Sequence, residues 1–378
     1  MALSKIESQA LDVGQIGGRR NLIINGAMQV AQRGVETTGV TTPTYYSVDR
    51  MKFDIASCGT HTIRQSTDAP DGFSTSYEIE VTTAETNPTT TDKLAMQYLF
   101  EGQDLQHLKY GSASAQNITL SFWVKTNKTG TYSNEIIQTD NNNRHYSFNY
   151  TVNSADTWEY KTITISGDSS GLINNDNDFG LVLKFWLDGG DSWTSGTYTA
   201  DQWQARTNAN VISSSSPHLA DTIGNTWYIT GVQLEVGSVA TPFEHRSYGE
   251  EMVLCSRYYA TSFKTKAPQN GTVFTSNDDH YYQPAWQHSG GSGVVGSRVY
   301  FITEMRAIPT ITFYQNAGVS DTAGQFGFYN GSTWGRSTSI NAHLNNRNGF
   351  NPNLSGTGAA SHSNNWLISG GWAAEAEL

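Results

Sequence analysis

Three strand-like stretches of this sequence each set a tryptophan among polar side chains, opposite an apolar row. In the first, Ile118, Leu120, Phe122 and Val124 alternate with Thr119, Ser121, Trp123 and Lys125. In the second, Leu181, Leu183, Phe185 and Leu187 alternate with Val182, Lys184, Trp186 and Asp188. In the third, an inward Val232 and Leu234 would turn Trp227 outward with Gln233 and Glu235. Period-two alternation places one set in a core and the other on the opposite face. A flat indole can cover the C–H face of a sugar ring while polar neighbours bond its hydroxyls. Trp123, Trp186, Trp227, Lys184 and Gln233 are therefore candidate glycan contacts. The competing assignment is that these rings cover a loop, a second sheet or a subunit contact. A further aromatic group, His280, Tyr281, Tyr282, Trp286 and His288, lies in the stretch NDDHYYQPAWQHSGG and reads as a loop. Aromatic side chains in loops are effective binding anchors because they offer area at small entropic cost.

Other chemistry is poorly provided for. His280 and His288 have no carboxylate or cysteine spacing beside them, so no metal is assigned. The stretch NNDNDFG (174–180) has Phe179 where a calcium loop turns on glycine, and it lacks the later bidentate glutamate. Calcium stays open as a cofactor without support from these residues. GSASA and GDSSG are not nucleophile elbows, and no phosphate-binding or dinucleotide fingerprint occurs. Paired glycosidase carboxylates come from positions distant in sequence, so spacing alone does not locate them. The expectation is a protein without catalysis. Cys58 and Cys255 stand far apart and read as free thiols.

The elements that would position these residues follow from composition. Of 378 residues only 15% are charged and 37% hydrophobic, with 36 glycines and 12% aromatics. Such a chain favours short strands and tight turns, and an all-β fold. The net charge of −11 offers no counterion release to a phosphate backbone, which disfavours nucleic acid and anionic membrane surfaces. No apolar run is long enough to span a bilayer, and the first residues lack the apolar core of an export signal. Further strands are expected around Tyr77, Ile79 and Val81, around Tyr146, Phe148 and Tyr150, and at Ile163 and Ile165. Residues 1–20 predict a short amphipathic helix on Leu3, Ile6, Ala10 and Val13, a docking element that needs a partner surface. Residues 21–247 predict a jelly-roll β-sandwich. Residues 248–261 predict a linking helix whose seam, Tyr248, Met252, Cys255 and Tyr259, suits self-association into a parallel homotrimer. Residues 262–378 predict a smaller β-sandwich-like domain that would engage a receptor. No repeat of fixed period is present, which disfavours solenoids and propellers.

The segments QIGGRRNLIINGAMQVAQRG, YYSVDRM and ITLSFWVKTNKTGTYS resemble the opening of a carbohydrate-binding-module-like domain of bacteriophage tail fibres. TWYITGVQLEVGSVATPFEHRSYGEEMVLCSRYY and the terminal AAEAEL are similar to the close of the same group. The resemblance covers roughly the first 260 residues and the last few. It implies a jelly roll, a place on the virion, a homotrimer, and partners among other tail or capsid proteins and host surface polysaccharide. It identifies no receptor. A purely structural capsid or tail decoration protein and a polysaccharide depolymerase are the rival functions.

Overall fold

A computed structural model describes residues 20–140, 143–263, 281–287, 293–314, 327–329, 334–337, 339–355 and 366–378. The docking residues Leu3, Ile6, Ala10 and Val13, and also His280 and His288, lie outside the described residues. The chain divides into two compact units, the first comprising Met1–Gln29, Thr38–Tyr45 and Met51–Arg246, the second Val30–Thr37, Tyr46–Arg50 and Ser247–Leu378. Among the described residues no helix is long and apolar enough to cross a membrane, which says nothing of crossing by strands.

In the first unit the strands are β1 (Glu36–Val40), β2 (Thr44–Tyr45), β3 (Lys52–Ala56), β4 (Thr60–Ser66), β5 (Ser76–Thr83), β6 (Lys93–Glu101), β7 (Ile118–Thr126), β8 (Gly130–Gln138), β9 (Arg144–Val152), β10 (Glu159–Ile165), β11 (Phe179–Gly189), β12 (Trp203–Ala205) and β13 (Thr226–Val236). They form a six-stranded sheet, β1-β4-β5-β13-β7-β10, and a seven-stranded sheet, β12-β9-β8-β11-β6-β3-β2. From β4 to β10 in the first sheet and throughout the second, neighbouring strands pair antiparallel. Apart from the β2–β3, β4–β5 and β8–β9 hairpins, most strands hand over to the other sheet. That is the connectivity of a jelly-roll sandwich.

The alternation explains the core. Ile79, Leu120, Phe122 and Val124 of one sheet and Leu183, Phe185, Phe148 and Tyr150 of the other are buried. Phe122 meets Phe185 edge-on at 5.1 Å between ring centroids, and Tyr150 at 5.3 Å. Such edge-to-face pairs add to the burial of the rings themselves.

Strand β13 departs from strict alternation. Trp227 pairs with Thr126 and Ile229 with Val124, but the register slips by one residue between Thr230 and Gln233, so that Leu234 pairs with Leu120. The extra residue sits at Gly231, which has φ of +61°. A β-bulge of this kind moves every later side chain to the other face. Trp227, expected outward, is therefore in the core together with Val232 and Leu234, and Tyr228 is on the outer face. Glycine is required twice over at this bulge, because a Cβ there would also lie 2.6 Å from the Phe73 ring.

In the second unit, helix α2 (Tyr248–Ser256) begins with a capping box. The Ser247 hydroxyl accepts from the Glu250 amide, and the Glu250 carboxylate accepts from the Ser247 amide at 2.8 Å. Following in chain order are β14 (Tyr259–Thr261), β15 (Tyr281–Gln287), β16 (Gly293–Gly296), β17 (Val299–Tyr300), β18 (Thr310–Tyr314), β19 (Gly327–Tyr329), β20 (Trp334–Arg336), β21 (Ser339–Asn346), β22 (Gly349–Ser355) and β23 (Trp366–Glu375). Strand β23 organises them. Its first half pairs with β15 and β19 and its second half with β14 and β18, all antiparallel. Its Trp372 and Ala374 form a buried cluster with Val299, Met305, Phe350 and Ala376.

The early segments of this unit are tied down by arginines. Arg50 is 1% exposed, lies 3.5 Å over the Tyr258 ring and pairs with Glu377. Arg33 lies 3.8 Å over Tyr259 and reaches Glu377 at 3.3 Å and Asp49 at 3.7 Å. Asp49 accepts from the Gln32 amide at 3.0 Å and from its side chain at 2.6 Å. Burial nevertheless pushes the Asp49 carboxyl up to about 6, since Arg33 and Gln32 offset only part of the desolvation.

The seam expected at Tyr248, Met252, Cys255 and Tyr259 does not hold as one exposed stripe. The helix ends at Ser256, so Tyr259 stands on strand β14. Cys255 and Tyr259 are buried inside the unit, Met252 is half-buried, and Tyr248 is 56% exposed. The four-residue spacing that suggested a coiled coil was in part the inward face of a helix packed on its own sheet. Tyr281, Tyr282 and Trp286 likewise fall on strand β15 and not in a loop.

Two outcomes follow. Gly231→Val should lower the free energy of unfolding by about 2 kcal/mol or more, because it adds left-handed strain and a clash with Phe73; urea denaturation measures this. The folded pKa of Asp49 lies above its unfolded value, so the native state binds the extra proton between about pH 4 and 6, and ionising this group costs stability as pH rises through that window. Asp49→Asn should therefore gain stability relative to the parent between pH 4.5 and 7, by up to about 2–3 kcal/mol, as read by melting temperature against pH.

Candidate functional site

The two outer faces of the first unit are treated differently by the chain. On the seven-stranded sheet, the outward residues of β11, β8, β9, β6 and β3 form a charged network with a roof over it. Trp186 is 1% exposed and packs with Val211, Ile212 and Trp193. Trp193 belongs to the short helix α1 (Asp191–Thr194), and its ring lies 5.2 Å from that of Trp186. The Trp186 indole N–H donates to Glu135 at 3.1 Å. Glu135 also receives Arg206 at 2.9 and 3.0 Å and contacts His145 Nδ1 at 2.9 Å. Lys184 pairs with Asp54 at 2.8 Å and lies 4.0 Å over the Trp186 ring. Burial alone would raise the Glu135 carboxyl, but His145, Arg206 and Lys184 hold it down at about 2. Burial lowers Lys184 against the pull of Asp54 and Glu135. Trp186 and Lys184 do face away from the core, as the alternation requires, yet neither is open to a ligand.

On the six-stranded sheet the lower half of the outer face is also covered. Gln233 and Glu235 are fully buried under the exit segment, where Glu235 accepts from the Thr241 amide at 2.8 Å and Gln233 from the Glu244 amide at 2.8 Å. Gln233 is thus a structural fastener and not a glycan contact. Trp227 is 0% exposed, and its indole donates to the Tyr150 hydroxyl at 2.9 Å across the sandwich.

The upper half of that face remains open and carries aromatic rings in two rows. Register puts Tyr160 of β10, Trp123 of β7 and Thr230 of β13 side by side. The Trp123 and Tyr160 rings are 5.3 Å apart, Trp123 half-buried and Tyr160 46% exposed. The second row runs from Lys125 through Tyr228 and Glu78 to Arg64 on four adjacent strands. Trp158, in the turn before β10, meets the Tyr228 ring at 6.2 Å and completes this row.

The polar groups of the strip are mutually fixed. The Lys125 ammonium lies 4.4 Å over Tyr228 and 5.5 Å from the Trp158 ring, and pairs with Asp68. Trp158 Nε1 donates to Asp68 at 3.0 Å. Arg64 bridges Glu78 at 2.8 Å and Glu80 at 2.5 Å. Partial burial works against ionisation of Asp68, but its bonds from Lys125 and Trp158 hold it below the usual carboxylate range. Burial and the Glu78 charge push Tyr228 up to about 12, so its hydroxyl stays neutral. This arrangement can stack flat apolar faces and can offer fixed acceptors to hydroxyl donors.

Of the sequence candidates, Trp123 alone lies on this strip. Trp158, Tyr160, Tyr228, Asp68, Arg64, Glu78 and Glu80 were not singled out. Tyr160 was within reach of the alternation, being in phase with Thr162 and Thr164 and out of phase with the inward Ile163 and Ile165. Tyr228 was hidden by the Gly231 bulge. Nothing in the sequence joins Trp158 and Asp68, which are 90 residues apart.

Among the described residues no group of three or more His, Cys, Asp or Glu is placed to hold a metal ion. In the 174–180 turn, Asp176 accepts from the Asp178 amide at 3.1 Å, and Asn174 donates to Asp140 at 2.8 Å.

The Glu135 network yields a pH test. Its folded pKa lies below the unfolded value, so its contribution is present above about pH 4.5 and is lost as pH falls toward 2. Glu135→Gln should cost about 3 kcal/mol at pH 7, and the deficit should shrink on acidification to pH 2.5. A deficit that stays constant across urea titrations at pH 7, 4.5 and 2.5 would refute this electrostatic role.

No family model and no curated protein matches the chain. Solved structures that it is similar to include the enzymatically active domain of tailspike protein 4 of bacteriophage CBA120, at 14% identity over 57% of this chain with TM-score 0.31. The match spans 21% of that tailspike chain. The family 11 carbohydrate-binding module of a Clostridium thermocellum cellulosomal cellulase aligns at 11% identity over 54% of this chain and 98% of its own, with TM-score 0.28. TmCBM61 in complex with β-1,4-galactotriose aligns at 8% identity over 58% of this chain and 100% of its own, with TM-score 0.27. These likenesses concern the backbone fold.

Proposed function

We propose that the first unit is a non-catalytic polysaccharide-binding domain and that the open strip of Trp123, Tyr160, Trp158 and Tyr228 is its platform. The observation that carries this reading is the contrast between faces. Trp186, Lys184, Trp227, Gln233 and Glu235 are sealed by their own chain, whereas these four rings are left partly open beside ordered acceptors. Exposing large aromatic surface without a partner is unfavourable, and a stacking ligand removes that cost. At the strip itself, absence of catalysis is supported by Asp68 and by the pairing of Glu78 and Glu80. A glycosidase acid must keep its proton near neutral pH. Asp68 is held ionised, and Glu78 and Glu80 are both engaged by Arg64.

The motif resemblance supports a place on a phage fibre that contacts host surface polysaccharide. On this reading single platforms bind weakly, and a homotrimer raises the effective affinity by avidity. With Cys255 and Tyr259 buried in their own unit, Tyr248 and Val253 are the exposed apolar side chains of α2 that would serve such a contact.

Trp123→Ala and Trp158→Ala should each weaken binding to whole cells or to a bacterial glycan array by tenfold or more. The melting temperature should change by no more than a few degrees, since neither ring is fully buried. Unaltered binding in both variants, or loss that tracks unfolding, would refute the platform.

A further inference from the structure

We infer that the strip selects neutral polysaccharides and excludes those bearing carboxylate groups, with Glu78 and Glu80 as the residues that enforce the choice. This rests on the platform reading above. Recognition of an acidic sugar needs a cation with donors to spare, arginine forks being the usual means. Each cation of the strip is already paired with carboxylate charge. Lys125 is held by Asp68 and lodged over two aromatic rings. Arg64 lies between Glu78 and Glu80, with one of its two terminal nitrogens bonded to both, so that its single charge faces two carboxylates.

The charge of the strip points the same way. Its two cations face three carboxylates, Asp68, Glu78 and Glu80, within a chain of net charge −11. Glu235, lower on the same face, is sealed under the exit segment and does not bear on the strip. An anionic polymer would approach like charge without a compensating fork. A neutral polymer offers hydroxyl donors, for which ionised carboxylates are strong acceptors.

The geometry fits a chain of pyranose rings and not a single sugar. The row from Lys125 to Arg64 crosses four adjacent strands, about 14 Å at the usual strand spacing, and Trp158 extends it on one side. The aromatic half of the row supplies stacking, and Arg64 and Glu80 at the other end supply hydrogen bonds, Glu78 being itself buried and acting through its charge on Arg64. Binding of this kind should depend little on salt, since no ion pair with the ligand is formed.

Affinity electrophoresis of the full chain separates the possibilities. The neutral gels contain laminarin, β-1,4-galactan or dextran, and the acidic gels polygalacturonate or polysialic acid, each run at 50 and 500 mM NaCl. The expected result is retention by at least one neutral polymer, unchanged by salt and reduced at least tenfold by Trp123→Ala, with no retention by the acidic ones. The double variant Glu78→Gln/Glu80→Gln frees Arg64 and should gain salt-sensitive retention on polygalacturonate. Retention of the parent chain by an acidic polymer, lost on Trp123→Ala, would overturn the charge selection and leave the platform standing. Retention by no polymer, or retention that survives both Trp123→Ala and Trp158→Ala, would overturn the platform and the selection together. The salt series on the parent chain decides the matter even if the double variant does not fold.

Discussion

Strand β13 changes face at Gly231, and both surfaces of the six-stranded sheet follow from that one left-handed residue. Before it, Trp227 and Ile229 point into the sandwich and Tyr228 points out. After it, Val232 and Leu234 point in and Gln233 and Glu235 point out. Without the extra residue a single period would have to choose. Either Trp227 would leave the core, or Val232 and Leu234 would. The bulge lets one strand bury all four apolar side chains and still deliver a tyrosine to the outer surface between Lys125 and Glu78.

The outer faces show what the chain does with polar surface that it does not expose. On the seven-stranded sheet, Glu135, Lys184 and Asp54 are buried but compensated, each by at least one opposite charge at hydrogen-bond distance. Such pairs gain little over an apolar core of the same shape, because desolvation offsets most of the Coulomb attraction. What they do is fix geometry, since any misplacement of the roof leaves a bare charge in a dry site. The second unit uses the same device at Arg33, Arg50 and Glu377, where stacking on Tyr258 and Tyr259 holds the guanidinium planes. On the open strip the ion pairs have another consequence. Each has at least one partner that reaches solvent, so they add little stability, and they leave a surface of rings and acceptors whose cations are already paired in charge.

The regular parts of this architecture were legible from residue order. Alternation at 118–125, 146–150 and 181–187 predicts the inward rows that the sandwich buries, because a pleated strand with one dry face has no other way to sort its side chains. The all-β class followed from the same signal together with glycine and few charges. Trp123 was readable as outward for the same reason, and Tyr160 could have been. The failures have separate physical causes. Trp227 was misassigned because a bulge is one residue of backbone conformation, and a glycine between Thr230 and Val232 does not announce it. Tyr259 was assigned to a helical seam because its spacing from Cys255 fits a helix, and spacing does not say where the helix stops.

The face a side chain takes was thus set by sequence wherever the period ran unbroken. Whether that face met water was decided by the tertiary structure. Trp186 and Trp123 stand in equivalent patterns, a tryptophan between a lysine and an apolar row, and local sequence cannot tell them apart. One is sealed by Trp193, Val211 and Ile212, and the other is left beside Tyr160. The difference lies in where a loop crosses the sheet, which depends on contacts between residues far apart in the chain. The same holds for Asp68 and Trp158, which meet only because β4 and β10 belong to one sheet. Local periodicity carries information about direction, and long-range closure carries information about exposure. A binding surface needs both.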